Sequence, residues 1–540
     1  MAAIGCLCSV IAFAQLLAFP GAEGFGKYTS GGRGGQVVYV TTLEDDANGE
    51  IEGSLRWAMK QYPEEPITVC FAVTGEIRLV KDLRLNRRSN FTWAGQTAPG
   101  TGIVITHNKV NFGGSENFIV RNIRFRVGNE DVNGAFLNAN AVGAENCSNF
   151  IFDHCDFGWS SEENMNSFDS HFFTIQYCIV HEGLYAGGNP KGNRGYGCQW
   201  GGSPATYHHN LLTNNLKRSC RFNGARNNDN VVYIDYINNV VYNYEGGSNG
   251  CYGGECNSNI SEYNGLNAAH EVNFINNYYK PTANTKKERF FFQSDYARDG
   301  ATSWTPSQWY VSGNIMEGSD AITNDNWQGV KAVTYTKDQI RVDTLIRPRL
   351  NYYNWVSDDS VQGRYDFEAL AYAAGIFETA QDAFETVLDT VGAFPRDSVE
   401  LRLVNEVRTG TLTYTGSKTK KQGWIDSPSD AEGFFAYPQA ETTLDTDLDG
   451  MPDEWELEHG LNPNEPDNNR KFGEGYTILE NYLHYAMTGE TMPGELWAEG
   501  LEITNDQLPM AQKILRDGQI YIQRGAKTYT LQGQVIEAGK

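Results

Sequence analysis

Seven short stretches in which apolar and polar residues alternate can be laid over one another: NFIVRNIRF from Asn117, NFIFDHCDF from Asn149, FFTIQYCIV from Phe172, ATYHHNLL from Ala205, YIDYINNVV from Tyr233, VNFINNYY from Val272 and WYVSGNI from Trp309. In this register one position is held in turn by Ile123, Cys155, Cys178, Asn210, Asn239, Asn277 and Asn314, at intervals of 32, 23, 32, 29, 38 and 37 residues. The strands keep their length while the intervals vary, and turn-forming Asn and Gly fill the gaps. That combination predicts an all-β solenoid, a parallel β-helix in which each coil stacks on the last and insertions leave as loops. An antiparallel sandwich would instead favour strand spacings of roughly 8–12 residues and two-residue hairpins. Four asparagines at one register position predict an amide ladder running from coil to coil. Cys155 and Cys178 stack in the same column, as packed thiols rather than as a disulfide.

Around this repeat the chain divides further. Residues 18–318 are expected to form the β-helix, opened by a glycine-rich entry, a strand over Val37–Thr42 and a short capping helix over Ser54–Gln61. Over 319–440 the register fades into peripheral segments, where Ala383, Phe384, Val387, Leu388 and Val391 lie at helical spacing and predict an amphipathic helix packed on the coils. Residues 441–490 hold an acidic loop followed by a helix from Glu454 to His459. The last stretch, 491–540, alternates from Lys513 to Val535 and predicts a small terminal β-element. At the other end Met1 to Ala18 is apolar, too short to span a bilayer, and carries Ala12-Phe13-Ala14 as a cleavage signature, so residues 1–14 read as an export signal. Cys6 and Cys8 leave with it, and eight cysteines of the ten remain, an even number that suits an oxidising compartment.

Charge narrows the function. With 67 acidic against 43 basic residues the net charge is −24, which argues against a nucleic-acid partner. Yet Gly183 to Asn228 contains no Asp or Glu, while Lys191, Arg194, Lys217, Arg218, Arg221 and Arg226 all fall inside it. One purely basic window in an acidic chain predicts a local anion site. Arg218 and Arg221, three residues apart just beyond a strand, are placed to hold a carboxylate. In the acidic loop Asp445, Asp447, Asp449, Gly450, Asp453 and Glu456 fit D-x-D-x-D-G followed by Glu, the ligand spacing of a structural Ca²⁺ site.

Six segments then point to a family: PGAEGFGKYTSGGRGG from Pro20, IFDHCDF from Ile151, TIQYCIVHEGL from Thr174, NPKGNRGYG from Asn189, HHNLL from His208 and RSCR from Arg218. Together they resemble a pectate lyase of polysaccharide lyase family 1. The resemblance implies a right-handed parallel β-helix, polygalacturonate (de-esterified pectin) as substrate and Ca²⁺-dependent β-elimination to unsaturated oligogalacturonides. By position it implies Arg218 as the base, or as the group that stabilises the developing enolate. Arg221 becomes a carboxylate clamp and Lys191 a substrate-binding lysine, and Trp200 is expected to bind substrate; a protein that only bound polysaccharide would keep Trp159, Trp200 and Tyr185. The catalytic Ca²⁺ ligands fall on Glu162 and Asn166, with Glu163 adjacent and a further acid near Glu145 or Asn146; an Asp common in the family is Gly134 here. Asp153, His154, His208 and His209 are expected to pack in the coil.

The enzyme is expected to be monomeric, with no membrane span, and secreted, periplasmic or on an outer surface. The terminal β-element is similar to tails of exported bacterial proteins, which implies a bacterial source. Two other functions stay open: a β-helix hydrolase, which needs opposed carboxylates, and a non-catalytic polysaccharide-binding β-helix, which needs no Arg218.

Overall fold

The computed structural model describes residues 16–223, 231–245, 250–254, 269–286, 289–294, 306–347, 377–472 and 475–492, and strand segments within 512–536. The export signal over 1–14 and Arg226 lie outside the described residues.

Each coil contributes one strand to each of three sheets. Ser148–Asp153, Asp156–Ser160 and Glu163–Asn166 make one coil; His171–Gln176, Ile179–His181 and Tyr196–Trp200 make the next. The first sheet has ten strands, from Gln36–Val40 to Gln308–Ser312, and the other two have nine each. Neighbouring strands run parallel, so the fold is a parallel β-helix. Parallel strands joined through a crossover wind right-handed. Alternation sends every second side chain inward, where equivalent residues stack: the rings of Phe118, Phe150 and Phe173 lie 4.8 and 4.4 Å apart in succession.

The repeated Asn-Asn pairs have a local cause. Between the first and second sheets each coil turns through one residue in the left-handed region: Asn122, His154, Tyr177, His209, Asn238 and Asn276, with φ between 51° and 60°. Asn tolerates that conformation better than most residues. The residue after it is the ladder position. Asn210 donates its amide to Asn239 at 3.0 Å, Asn239 to Asn277 at 3.2 Å and Asn277 to Asn314 at 2.9 Å. Each side-chain oxygen also accepts the backbone N–H of the preceding ladder residue, as Asn210 does from Cys178 at 2.9 Å. Cys155 and Cys178 carry free, buried thiols in that column.

The solenoid is longer than the sequence repeat. It begins three strands earlier, at Gln36–Val40, Ile67–Phe71 and Phe91–Ala94, and the third sheet continues to Val330–Ala332, past the boundary expected at 318. Helices Ala380–Thr390 and Ser398–Thr409 pack on the second sheet, burying Val387, Leu388, Leu403 and Val407 with Ile179, Leu211 and Val240. Beneath them buried ion pairs join Arg124 to Glu400 at 2.7 Å and Arg126 to Asp156 and Asp397 at 2.8 and 2.6 Å. Beyond residue 492 a separate unit forms, a four-stranded antiparallel sheet from Gln512–Arg516 to Val535–Ile536. No helix among the described residues is long and apolar enough to cross a membrane.

Candidate active site

Within the basic window the strands Tyr196–Trp200 and Cys220–Phe222 belong to the third sheet, and Arg221 lies on its outer face. Register pairs Asn166 with Gln199, Gln199 with Arg221 and Arg221 with Tyr252, so four consecutive coils present these side chains in one column. Alternation decides which residues face out. Met165, Cys198, Trp200, Cys220 and Phe222 take the inward positions and are fully buried. Trp200 therefore belongs to the core, its ring 4.4 Å from that of Tyr207, and is removed from the substrate contacts the sequence suggested. Trp159 is equally buried.

Arg218 stands at the edge of this column in a left-handed conformation, φ 52°, which costs a non-glycine residue about 1 kcal/mol or more and which this solenoid also uses at its other corners. Its carbonyl accepts the Cys198 N–H at 2.8 Å. Gly197 lies so close beneath that an added Cβ would sit 2.5 Å from that carbonyl oxygen, so glycine is required there. The guanidinium is fixed on several sides. Nε donates to the Tyr252 hydroxyl at 3.1 Å, Nη1 donates to Gln199 Oε1 at 3.3 Å and to Glu163, and the Tyr196 ring centre lies 3.9 Å away. Arg221 Nη1 donates to the same Gln199 oxygen at 3.3 Å. The two arginines thus converge on one carbonyl. Burial holds Arg218 below the ordinary guanidinium value; the Tyr252 hydroxyl works against this, and the Arg221 charge adds to it.

The expected calcium ligands do not assemble as one set. Asn166 donates its amide to Glu145 at 3.2 Å, and its Oδ1 is buried without a hydrogen-bond donor. Glu162 is held elsewhere, by Lys191 at 3.3 Å and Arg194 at 2.8 Å. Its neighbour Glu163, which the sequence left secondary, is the acid that reaches Arg218. At the start of the strand Asn164 is buried at the corner, accepting from Ser160 N at 3.0 Å and donating to the His181 carbonyl at 2.6 Å, and its neighbour Glu163 is left to meet Arg218. An orphaned amide oxygen beside a carboxylate is an oxygen-only donor pair that fits a hard cation, with little charge to bind it. Among the described residues the groups of three acids that could hold a metal lie elsewhere, at Asp445, Asp447 and Asp449 and at Asp449, Glu456 and Asp467.

No family model matches the chain. Curated relatives do. It is 31% identical over 473 residues to the "Probable pectate lyase C" of Aspergillus terreus, covering 87% of this chain and 94% of that one. Against the protein of the same description from Aspergillus flavus it is 30% identical over 482 residues, covering 88% and 96%.

The chain belongs to the pectate lyase family.

Among solved structures, the major cedar pollen allergen covers 69% of this pectate lyase family member at 15% identity with a TM-score of 0.41, and a pectate lyase from Bacillus sp. N165 in complex with trigalacturonate gives 0.38 at 14%. Overlap that low carries no argument. The curated relatives are fungal, apart from a shorter match to pectate lyase 5 of Ambrosia artemisiifolia, and lend no support to a bacterial source.

Within this pectate lyase fold the sequence missed Gln199, Tyr196 and Tyr252 as partners of the arginines. Gln199 and Tyr252 carry a readable signal: each is in register with Arg221 in an adjacent coil.

Proposed function

We propose that the protein is an exported pectate lyase that cleaves polygalacturonate by calcium-assisted β-elimination. Removing the C5 proton of a uronate leaves negative charge on the adjacent carboxylate, so the site has to hold carboxylates and take up a proton. Arg221, buried and anchored on Gln199, grips the substrate carboxylate through its planar fork. Lys191, exposed at the rim, steers a neighbouring uronate. Arg218 takes the C5 proton; the C4–oxygen bond breaks, a C4–C5 double bond forms, and the departing oxygen is protonated from solvent.

An arginine serves as base only where its protonated form is disfavoured. Burial and the adjacent Arg221 charge act in that direction on Arg218, while the Tyr252 hydroxyl and the Glu162 charge oppose them, and Glu163 pairs with the guanidinium. A bound Ca²⁺, held by Asn166 Oδ1 and Glu145, would neutralise the substrate carboxylate and so acidify the C5 proton.

The observation that carries this reading is the convergence of Arg218 and Arg221 on Gln199 in one outward column. The test is incubation with polygalacturonate, reading the ultraviolet absorbance of the conjugated unsaturated uronate. Its appearance supports elimination. New reducing ends without that absorbance mean hydrolysis, and binding without either means a non-catalytic module.

A further inference from the structure

The acidic loop after residue 440 is shaped by its own backbone. Asp445 Oδ1 accepts the N–H groups of Leu448 and Asp449 at 2.8 and 3.3 Å, and its Oδ2 accepts that of Gly450 at 2.9 Å. This turn brings one oxygen each of Asp445, Asp447 and Asp449 within 4.8 Å of one another. A second triad, equally close, consists of Asp449, Glu456 and Asp467. Asp449 links the two, because its Oδ2 accepts the N–H groups of Asp467 and Asn468, both at 3.0 Å, and so draws in an acid eighteen residues further on.

Proximity of acids alone would not define a site. Glu456 supplies the second observation: it is 0% exposed, and neither of its carboxylate oxygens has a hydrogen-bond donor. Both oxygens of Asp447 and Oδ1 of Asp467 are likewise buried without a donor. Among the described residues the cluster's one basic neighbour in ion-pair range is Arg470, 3.6 Å from Asp467. A buried carboxylate without a countercharge is strongly disfavoured. The donors are all hard oxygens, with no imidazole or thiolate, which selects calcium over zinc.

The loop is also fastened to the start of the solenoid. Tyr39, on the outer face of Gln36–Val40, donates its hydroxyl to Asp445 Oδ2. Gly450, at φ 101°, passes so near the sheet that an added Cβ would lie 2.8 Å from Leu479, 3.4 Å from Val37 and 3.5 Å from Cys70. Asn469 donates to the Gly35 carbonyl at 2.9 Å, and Arg33 pairs with Glu480 at 2.6 Å.

We propose that Asp445, Asp447, Asp449, Glu456 and Asp467 form a calcium site, separate from the reacting centre, that clamps the C-terminal loop and helix onto the first coil of the β-helix. Asp453, which the sequence motif included, lies outside this set. It belongs to neither acidic group, and its oxygens instead accept the Thr446 N–H and hydroxyl at 2.7 Å each.

The full chain is titrated with Tb³⁺, whose luminescence Trp455, next to Glu456 in sequence, can sensitise, and then back-titrated with Ca²⁺; melting is followed in calcium and in chelator. Glu456→Gln and Asp467→Asn are expected to weaken binding at least about ten-fold and to abolish the calcium-dependent rise in Tm. Asp453→Asn and Glu145→Gln should leave the Tb³⁺ signal in place. Tyr39→Phe keeps every ligand and should retain Tb³⁺ while losing part of the Tm rise, which tests the clamp even if a ligand variant folds poorly. Unchanged Tb³⁺ affinity in Glu456→Gln and Asp467→Asn overturns the site, and an undiminished Tm rise in Tyr39→Phe overturns the clamp.

Discussion

Replacing Arg218 by lysine keeps a positive charge and removes the geometry. In the wild-type protein the guanidinium is held by Tyr252 at 3.1 Å and Gln199 at 3.3 Å, and its plane lies 3.9 Å from the Tyr196 ring centre. A single ammonium cannot reproduce the fork or the stacked plane. Two charge-assisted hydrogen bonds are worth about 1.5 kcal/mol each at the low end, and the face contact about 0.5–1 kcal/mol. Even if half of that sum is recovered by the lysine, about 2 kcal/mol of positioning is lost at the group that must meet the C5 proton. Loss of the base itself adds to it, so kcat should fall by roughly two orders of magnitude or more. KM should change little, because the contact is made in the transition state. Arg221→Lys provides the contrast: a clamp that grips the carboxylate in both states should raise KM more than it lowers kcat. The assay is the initial rate of ultraviolet absorbance on polygalacturonate with calcium, over a range of substrate concentrations. If both variants run at nearly wild-type kcat and KM, the base lies elsewhere, and Lys191 is the next residue to test.

Three further outcomes follow from other parts of the molecule. Turnover on polygalacturonate should vanish in chelator and return with calcium, and Asn166→Ala should raise the calcium concentration giving half-maximal rate by about ten-fold; full activity in chelated buffer would refute the role given to Asn166. Asn239→Ala removes the partner of the Asn210 amide and backbone N–H, both at 3.0 Å, and of the Tyr207 carbonyl at 2.9 Å; with orphaned buried groups at about 1–3 kcal/mol each, stability to urea should drop by roughly 2–5 kcal/mol, and a loss below about 1 would deny the ladder its role. His181 is buried between Asp156 at 3.0 Å and Glu182 at 3.3 Å; burial lowers its affinity for a proton, but the two carboxylates outweigh that and push it up to about 9. A folded value above the ordinary 6.5 means the stabilisation is complete below about pH 6.5 and lost as pH rises through about 9, on the order of 3 kcal/mol in all. The Tm difference between wild type and His181→Gln should shrink across that window, and a difference that grows with pH would contradict it.

The repeat was legible because its physical causes are local. A left-handed turn residue followed by a ladder amide leaves Asn-Asn in sequence, as at Asn238-Asn239 and Asn276-Asn277. The first coils lack that mark: Ala94 ends its strand and a 3-10 turn from Gly95 to Thr97 follows, so nothing in the letters aligns it with Asn210. Arg218 and Arg221 could be found from the charge window. Trp200 was misread because aromatic type was weighed without strand parity; Cys198 and Trp200 share a face, and Gln199 takes the other. Asp467 could not be read from the motif at all. It joins the acidic loop through its backbone N–H to Asp449, eighteen residues away and outside the motif's spacing, while Asp453 fills its motif position and spends both oxygens on Thr446.

The same solenoid regularity accounts for how a chain of net charge −24 keeps a cationic site in order. Adjacent strands of a sheet stand about 4.8 Å apart, so residues in one outward column are spaced by the backbone ladder. Asn166, Gln199, Arg221 and Tyr252 hold four such places, and each is fixed inward by a neighbour of opposite parity in the core, Met165, Trp200, Cys220 and Phe222 among them. Two guanidinium groups drawn together repel one another. A neutral acceptor between them, Gln199, holds both, whereas a glutamate there would add to Glu163 in raising the proton affinity of Arg218 and work against its use as a base. Gln199→Glu is therefore a sharper probe of the mechanism than Gln199→Ala. It should preserve or strengthen substrate-free stability; because a base must first lose its proton, kcat should rise with pH, and this variant should shift that rise to higher pH, whereas a rate profile unmoved by the new charge would mean that Arg218 does not titrate during turnover.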